Sequence, residues 1–226
     1  MRRASKHFSD EQRRTVEQAV VEAERKTSAE IVPVVATASG RYDRPEDIVG
    51  LWLGIIGMIV AWRVLPVVPT ESGSWGGMPE WERLLIVVVA TVAGFVIGAV
   101  LASHVGWLRL LFTPRRQVRD EVAARARAVF FDSRIHHTTG NTGLLVYVSL
   151  YERMAAVLAD QSIMDKLGQD VLDELCTVLT RKLRDLHPAD VICQTIRVAG
   201  EKLAPVLPRA EDDINELSDT LIILDC

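Results

Sequence analysis

Between Ile48 and His104 the chain carries only five charged side chains, Arg63, Glu71, Glu80, Glu82 and Arg83, although the whole sequence has 26 Lys or Arg and 30 Asp or Glu. All five tryptophans fall in this window or at its edge, at Trp52, Trp62, Trp75, Trp81 and Trp107. Such a segment cannot share an environment with the charged remainder, and it divides into two apolar runs, 48–68 and 84–103. At 1.5 Å per helical residue, each run of about 20 residues reaches roughly 30 Å, the hydrocarbon thickness of a bilayer. The first run is broken by Arg63 alone, near its far end beside Trp62, where a long side chain can snorkel to the headgroups. Trp52, Trp62, Trp81 and Trp107 fall near the expected membrane interfaces, where an amphipathic indole is most stable.

The connector from Pro69 to Arg83 is short, rich in Gly and Pro, and carries three Glu against one Arg, so it reads as a tight turn between antiparallel spans. Arg41, Arg44, Arg109, Arg115, Arg116 and Arg119 lie near the opposite ends, against Arg63 and Arg83 at the turn. The excess of basic residues places both termini in the cytoplasm of a two-span cell-membrane protein. The segment from Ser5 to Glu30 is charged and helical in pattern, with no apolar core of a cleavable signal. Cys176, Cys193 and Cys226 are odd in number and widely spaced, which fits reduced thiols and no metal-binding spacing. The pairs Gly50/Gly54 and Gly94/Gly98 have the spacing that lets membrane helices approach closely, in a packed hairpin or a homodimer.

Outside the hairpin the chain reads as an α/β domain, split into 1–47 and 108–208 by an insertion at 48–107 and followed by an acidic and apolar tail at 209–226. Ser9 and Gln12 form a capping-box pattern for a helix from Asp10 to about Lys26. Ile31–Ala36 is a short strand in which Pro33 cannot donate a ladder bond, so it belongs at an edge or at a non-bonded position. A helix opens at Pro114 and runs to about Phe131. Leu144–Ser149 and Met154–Ala159 form a hairpin. One long helix, Ile163 to Leu186, and a second, Ala189 to about Leu203, follow. This order predicts a small mixed sheet sandwiched by helices. Leu221–Leu224 could add an edge strand or dock on the domain.

The segments Thr139-Gly-Asn-Thr-Gly-Leu-Leu-Val-Tyr-Val-Ser149, Tyr151-Glu-Arg153 and Val157-Leu-Ala-Asp-Gln-Ser-Ile163 resemble the TPM domain family, named for a thylakoid lumen protein, a photosystem II repair factor and a nematode receptor accessory protein. Phe8-Ser-Asp-Glu11, Ser28-Ala-Glu-Ile31 and Asn215-Glu-Leu-Ser-Asp219 resemble further parts of that pattern, the last of them the tail of bacterial membrane-bound members. The resemblance implies a small α/β sandwich and either an accessory or assembly role or a phosphatase activity with bound calcium or magnesium. Many members carry a signal peptide before the domain and a span after it, whereas here the hairpin enters after the first strand.

Phosphoryl transfer needs a nucleophile or an activated water, and positive charge or metal for the developing phosphoryl charge. Asp160, just past the third strand, is the best-placed acid, or else the N-cap of the next helix. Glu30, at the start of the first strand, could ligate a cation, or be solvated or paired with an Arg. His136 and His137 could serve as acid, base or ligand, or be solvated. Asp160, Asp212 and Asp213 are the candidate metal ligands, though the tail lacks the spacing of an EF-hand loop. Gly140–Gly143 precedes a strand and so lacks the helix N-terminus of a phosphate cradle. A pI near 5.8 gives no reason to expect a nucleic-acid partner. The partners read from the sequence are the bilayer and another membrane or membrane-associated protein. Packing of the hairpin against such a protein, as a structural subunit, is a third functional reading.

Overall fold

The computed structural model describes residues 3–40, 44–65, 79–104, 114–210 and 214–225. They divide into two compact units, 1–40 with 116–226, and 41–115. The boundaries differ by several residues from those read off hydropathy, because the first hairpin helix already begins at Arg44.

The first unit is mixed α/β. Its helices are α1 (Asp10–Glu24), α4 (Arg115–Asp132), α5 (Gln161–Leu167), α6 (Gln169–Lys182) and α7 (Pro188–Leu203), and its strands are β1 (Glu30–Ala36), β2 (Gly143–Ser149), β3 (Met154–Ala159) and β4 (Ile222–Leu224). Arg115, the first residue of α4, falls just on the other side of the unit boundary. The sheet order is β3-β2-β1-β4, with β1 parallel to both neighbours and β2 antiparallel to β3.

Alternation along the strands decides the layers. Ile31 and Val35 of β1, with Leu144, Val146 and Val148 of β2, face a core built from α1, α6 and α7 through Val16, Val20, Leu175, Leu179, Ile192 and Ile196. Val32, Val34, Leu145 and Tyr147 face the other way, onto Val122, Ala126, Val129 and Phe130 of α4. β1 and β2 are buried along their whole lengths, which is why 31–36 and 144–148 read as apolar runs without the alternation of a half-exposed strand.

Three local readings are refined. β1 is an interior strand, so the edge position suggested by Pro33 does not hold. The non-bonded alternative does: Glu30 N–H donates to Thr142 O on the β2 side and Thr37 N–H to Leu224 O on the β4 side, so odd positions face β4. The β4 register begins at Val34, and the N–H that Pro33 lacks would point to a stretch that β4 does not reach. Leu221–Leu224 supplies an edge strand, β4, in parallel with β1. The single helix expected over Ile163–Leu186 is two, because Gly168 adopts φ +82, a left-handed conformation that glycine enters at little cost. Its N–H closes α5 on Met164 O at 3.0 Å.

The second unit is a pair of helices, α2 (Arg44–Val64) and α3 (Glu80–His104), both long and apolar enough to cross a membrane. Small residues set their contact. A Cβ on Gly98 would lie 2.8 Å from Gly50 Cα, and one on Gly94 2.6 Å from Leu53 O. Gly54 and Gly57 approach Thr91 O and Ala90 O in the same way. The helices therefore run antiparallel with backbones almost touching, as small-residue spacing allows.

Candidate functional site

At the end of the sheet where β1 and β2 begin, three chain segments meet around carboxylates. Glu24 is the last residue of α1, an unfavourable place for an anion against the helix dipole. Its Oε1 accepts Ile31 N–H at 2.8 Å. Burial pushes its carboxyl up to about 8, helped by the neighbouring charges of Glu30 and Asp219, while the Ile31 bond opposes the shift. A carboxyl held protonated in this way can share its proton with Asp219. Glu30 is 5% exposed and accepts the backbone N–H groups of Glu216 and Leu217, each at 3.3 Å. Asn215 Nδ2 donates to Asp219 Oδ1 at 2.6 Å. Glu216 in turn receives Thr139 N–H on both oxygens at 3.0 Å and the Thr139 hydroxyl on Oε2 at 3.0 Å. A cavity of about 160 Å³ lies among Glu24, Arg25, Glu30, Arg209, Asn215 and Asp219. The arrangement clasps the C-terminal tail onto the sheet, and β4 follows directly.

Asp160 lies at this same end, its N–H donating to Gly143 O at 2.9 Å, while Glu30 is the register partner of Gly143. The two acids flank one residue but hold different partners. Asp160 Oδ1 accepts Gln161 N–H at 2.8 Å as the N-cap of α5. Ligands favour the carboxyl ends of parallel strands, and β3 runs antiparallel, so the end of β3 is the starting end of β1 and β2. That reverses the argument that singled Asp160 out. His136 and His137 form a 3-10 turn with ring centroids 4.3 Å apart, and His136 also contacts Phe131 edge-on at 5.0 Å. Asp212 and Asp213 lie outside the described residues. Among the described residues no three His, Cys, Asp or Glu side chains are placed to hold a metal ion, so the calcium or magnesium implied by the resemblance finds no fitting donor set there.

The carboxyl end of β1 and β2 holds a polar cluster that the sequence reading missed. Glu152 Oε1 accepts Ser39 N–H at 2.9 Å and Gly40 N–H at 3.4 Å, and its Oε2 accepts the Ser149 hydroxyl. Ser39 Oγ and Tyr147 OH are 2.9 Å apart. Tyr147 and Ser149 are fully buried. Polar groups at the end of an otherwise apolar strand, GLLVYVS, were the available signal, since burial obliges them to find partners. The cluster fixes the backbone where the chain leaves β1 for the hairpin.

In the second unit Trp52, Trp62 and Trp81 are each more than half exposed. Arg63 is in the last turn of α2, and the Arg83 guanidinium lies 4.2 Å from the centroid of the Trp62 ring, a cation–π contact. Gly50, Gly54, Gly94 and Gly98 line the α2–α3 contact. Trp107 lies outside the described residues.

No protein-family model matches the chain, and no curated protein does. Among solved structures, the NMR structure of the BA42 protein from the psychrophilic bacterium Bizionia argentinensis is similar, with a TM-score of 0.55 and 16% identity over 95% of this chain and 94% of that one. At that identity the likeness concerns the fold alone.

Proposed function

We propose that this chain is an integral membrane protein of the TPM domain family, anchored by its helical hairpin, whose α/β unit works at the cytoplasmic face as a docking or assembly module. The observation that carries the membrane reading is the outer surface of the hairpin. Leu84 is 65% exposed, and Leu51, Ile59, Val89, Val92 and Ile97 are all more than half exposed. Apolar exposure of this extent around two closely packed helices calls for lipid. The family reading is supported by the meeting of three of its segments at one place: Glu30 from 28–31, Thr139 from 139–149, and Glu216 and Asp219 from 215–219. The cytoplasmic orientation follows from the basic residues beyond the hairpin ends.

Topology is the test. Cys176 is a poor reporter, since it is half-buried and bonded to Ala155 O at 3.2 Å, and burial pushes its thiol up. Glu201, on the exposed face of α7, is a better position. A Glu201→Cys variant should react with a membrane-impermeant maleimide in inside-out vesicles and not in intact cells. Labelling from outside intact cells would overturn the orientation, and release of the protein by alkaline carbonate would overturn the anchoring.

A further inference from the structure

β4 closes one side of the sheet, which leaves β3 as the other edge. Asp160 N–H bonds to Gly143 O, so even positions of β3 face β2, and Ala155, Val157 and Ala159 turn their backbone groups outward. Exposed edges are usually blunted, and here α6 does so over half the strand. Thr180 Oγ1 accepts Ala155 N–H at 3.2 Å, the Cys176 thiol donates to Ala155 O at 3.2 Å, and Val157 N–H bonds to Cys176. The remaining outward groups, Val157 C=O with Ala159 N–H and C=O, have no partner among the described residues.

This edge floors a groove of about 630 Å³, with Arg119, Val122 and Ala123 of α4 on one side and Thr180, Arg181 and Arg184 on the other. The three arginines are exposed and have no ion-pair partner among the described residues. Against them, among the described residues, the groove holds one carboxylate, Asp173, in a chain whose net charge is −4. Uncompensated guanidiniums flanking a half-open strand fit an extended anionic chain. Backbone bonding supplies affinity in such strand addition, and charge supplies selectivity. A second copy of this chain fits less well: α4 and α6 bound the groove on both sheet faces, and the copy would bring the same unpaired arginines.

We propose that the groove takes an extended acidic segment of a partner protein, paired as a strand with the open part of β3 at Val157 and Ala159 and continuing along the groove with its carboxylates on Arg119, Arg181 and Arg184. This names the partner chemistry for the docking role proposed above and rests on it. The test uses the full-length protein in detergent and a fluorescent ten-residue peptide of alternating Glu and Val, followed by anisotropy. Binding is expected, weakening with salt and falling by about tenfold or more in an Arg181→Glu/Arg184→Glu variant and in Arg119→Glu. Ala159→Pro removes an outward N–H without touching the β2 ladder, and should weaken binding about tenfold with the melting curve unchanged. Absence of binding would overturn the proposal, as would binding indifferent to the arginines. Equal binding of a peptide N-methylated at alternate residues would overturn strand addition. Arginine-dependent binding to phosphatidylglycerol vesicles but not to the peptide, or arginine-dependent dimers, would overturn the choice of partner. Failure here leaves the Glu201→Cys labelling result untouched, so the two proposals fall separately.

Discussion

The α/β unit and the helical hairpin draw on the same apolar residue types and spend them in opposite directions. In the first, Val, Ile and Leu recur with the period of a strand or with one helical face, and end inside two cores on either side of the sheet. In the second they cover the outside of α2 and α3, and the closest approach between the helices is made at Gly50, Gly54, Gly57, Gly94 and Gly98, with Val87 and Ala102 buried beside them. In water the hydrophobic effect drives large side chains inward. Between lipid tails that drive vanishes, and close backbone contact takes its place. Close backbone contact at glycines sets the hairpin and large side chains fill the cores of the α/β unit, the division that the proposed lipid surroundings of the hairpin would require.

The largest effect is expected where this contrast is sharpest. Gly94→Leu with Gly98→Leu drives side chains into Leu53 O and Gly50 Cα. It should cost the hairpin about 3 kcal/mol or more, seen as lost helix pairing in a cross-linking assay, with the thermal transition of the α/β unit unmoved. Gly143→Ala is the converse: its Cβ would run into Ile135 O, destabilising the α/β unit by about 2 kcal/mol in denaturant melts and leaving the hairpin intact.

A smaller effect is expected at the tail clasp of the α/β unit, from Glu24→Gln. In the folded protein the Glu24 carboxyl keeps its proton up to about pH 8, against an ordinary value of 4.5. Between those values the folded state holds a proton that the unfolded chain has lost, so stability falls as pH rises from 4.5 to 8 and levels off above. Gln mimics the protonated acid and can still accept from Ile31 N–H. The variant should flatten that slope and be more stable than the parent at pH 8 by about 1 kcal/mol in urea titrations. The smallest effect is expected at the surface: Lys202→Ala, which removes the 3.1 Å bridge to Glu174, should change stability by less than about 0.5 kcal/mol.

What could be read from the sequence followed from periodicity. The helix of α1 with its Ser9–Gln12 capping box, the β2–β3 hairpin and the apolar spans all announce themselves within a window of a dozen residues. The features that escaped depend on partners far away in the chain. Glu24 looks like any helical surface acid until Asp219 is folded onto it, and Ser149 and Glu152 look like turn residues until Ser39 and Gly40 are brought beside them. Position along its strand marks Asp160 as a candidate, a reading that strand direction reverses. Gly168 gave a visible signal, since glycine inside an otherwise helical run is a candidate C-cap, but the amphipathic pattern continues across it.

Spin labels placed singly at Val89 and Val96 of α3 and at Glu201 of α7, in protein reconstituted into bilayers, distinguish a hairpin in lipid from one in water. Labels at Val89 and Val96 are expected to be accessible to oxygen and shielded from a water-soluble nickel chelate, with the opposite at Glu201. Nickel access at Val89 and Val96 equal to that at Glu201 would place the helical pair in water and contradict the membrane reading.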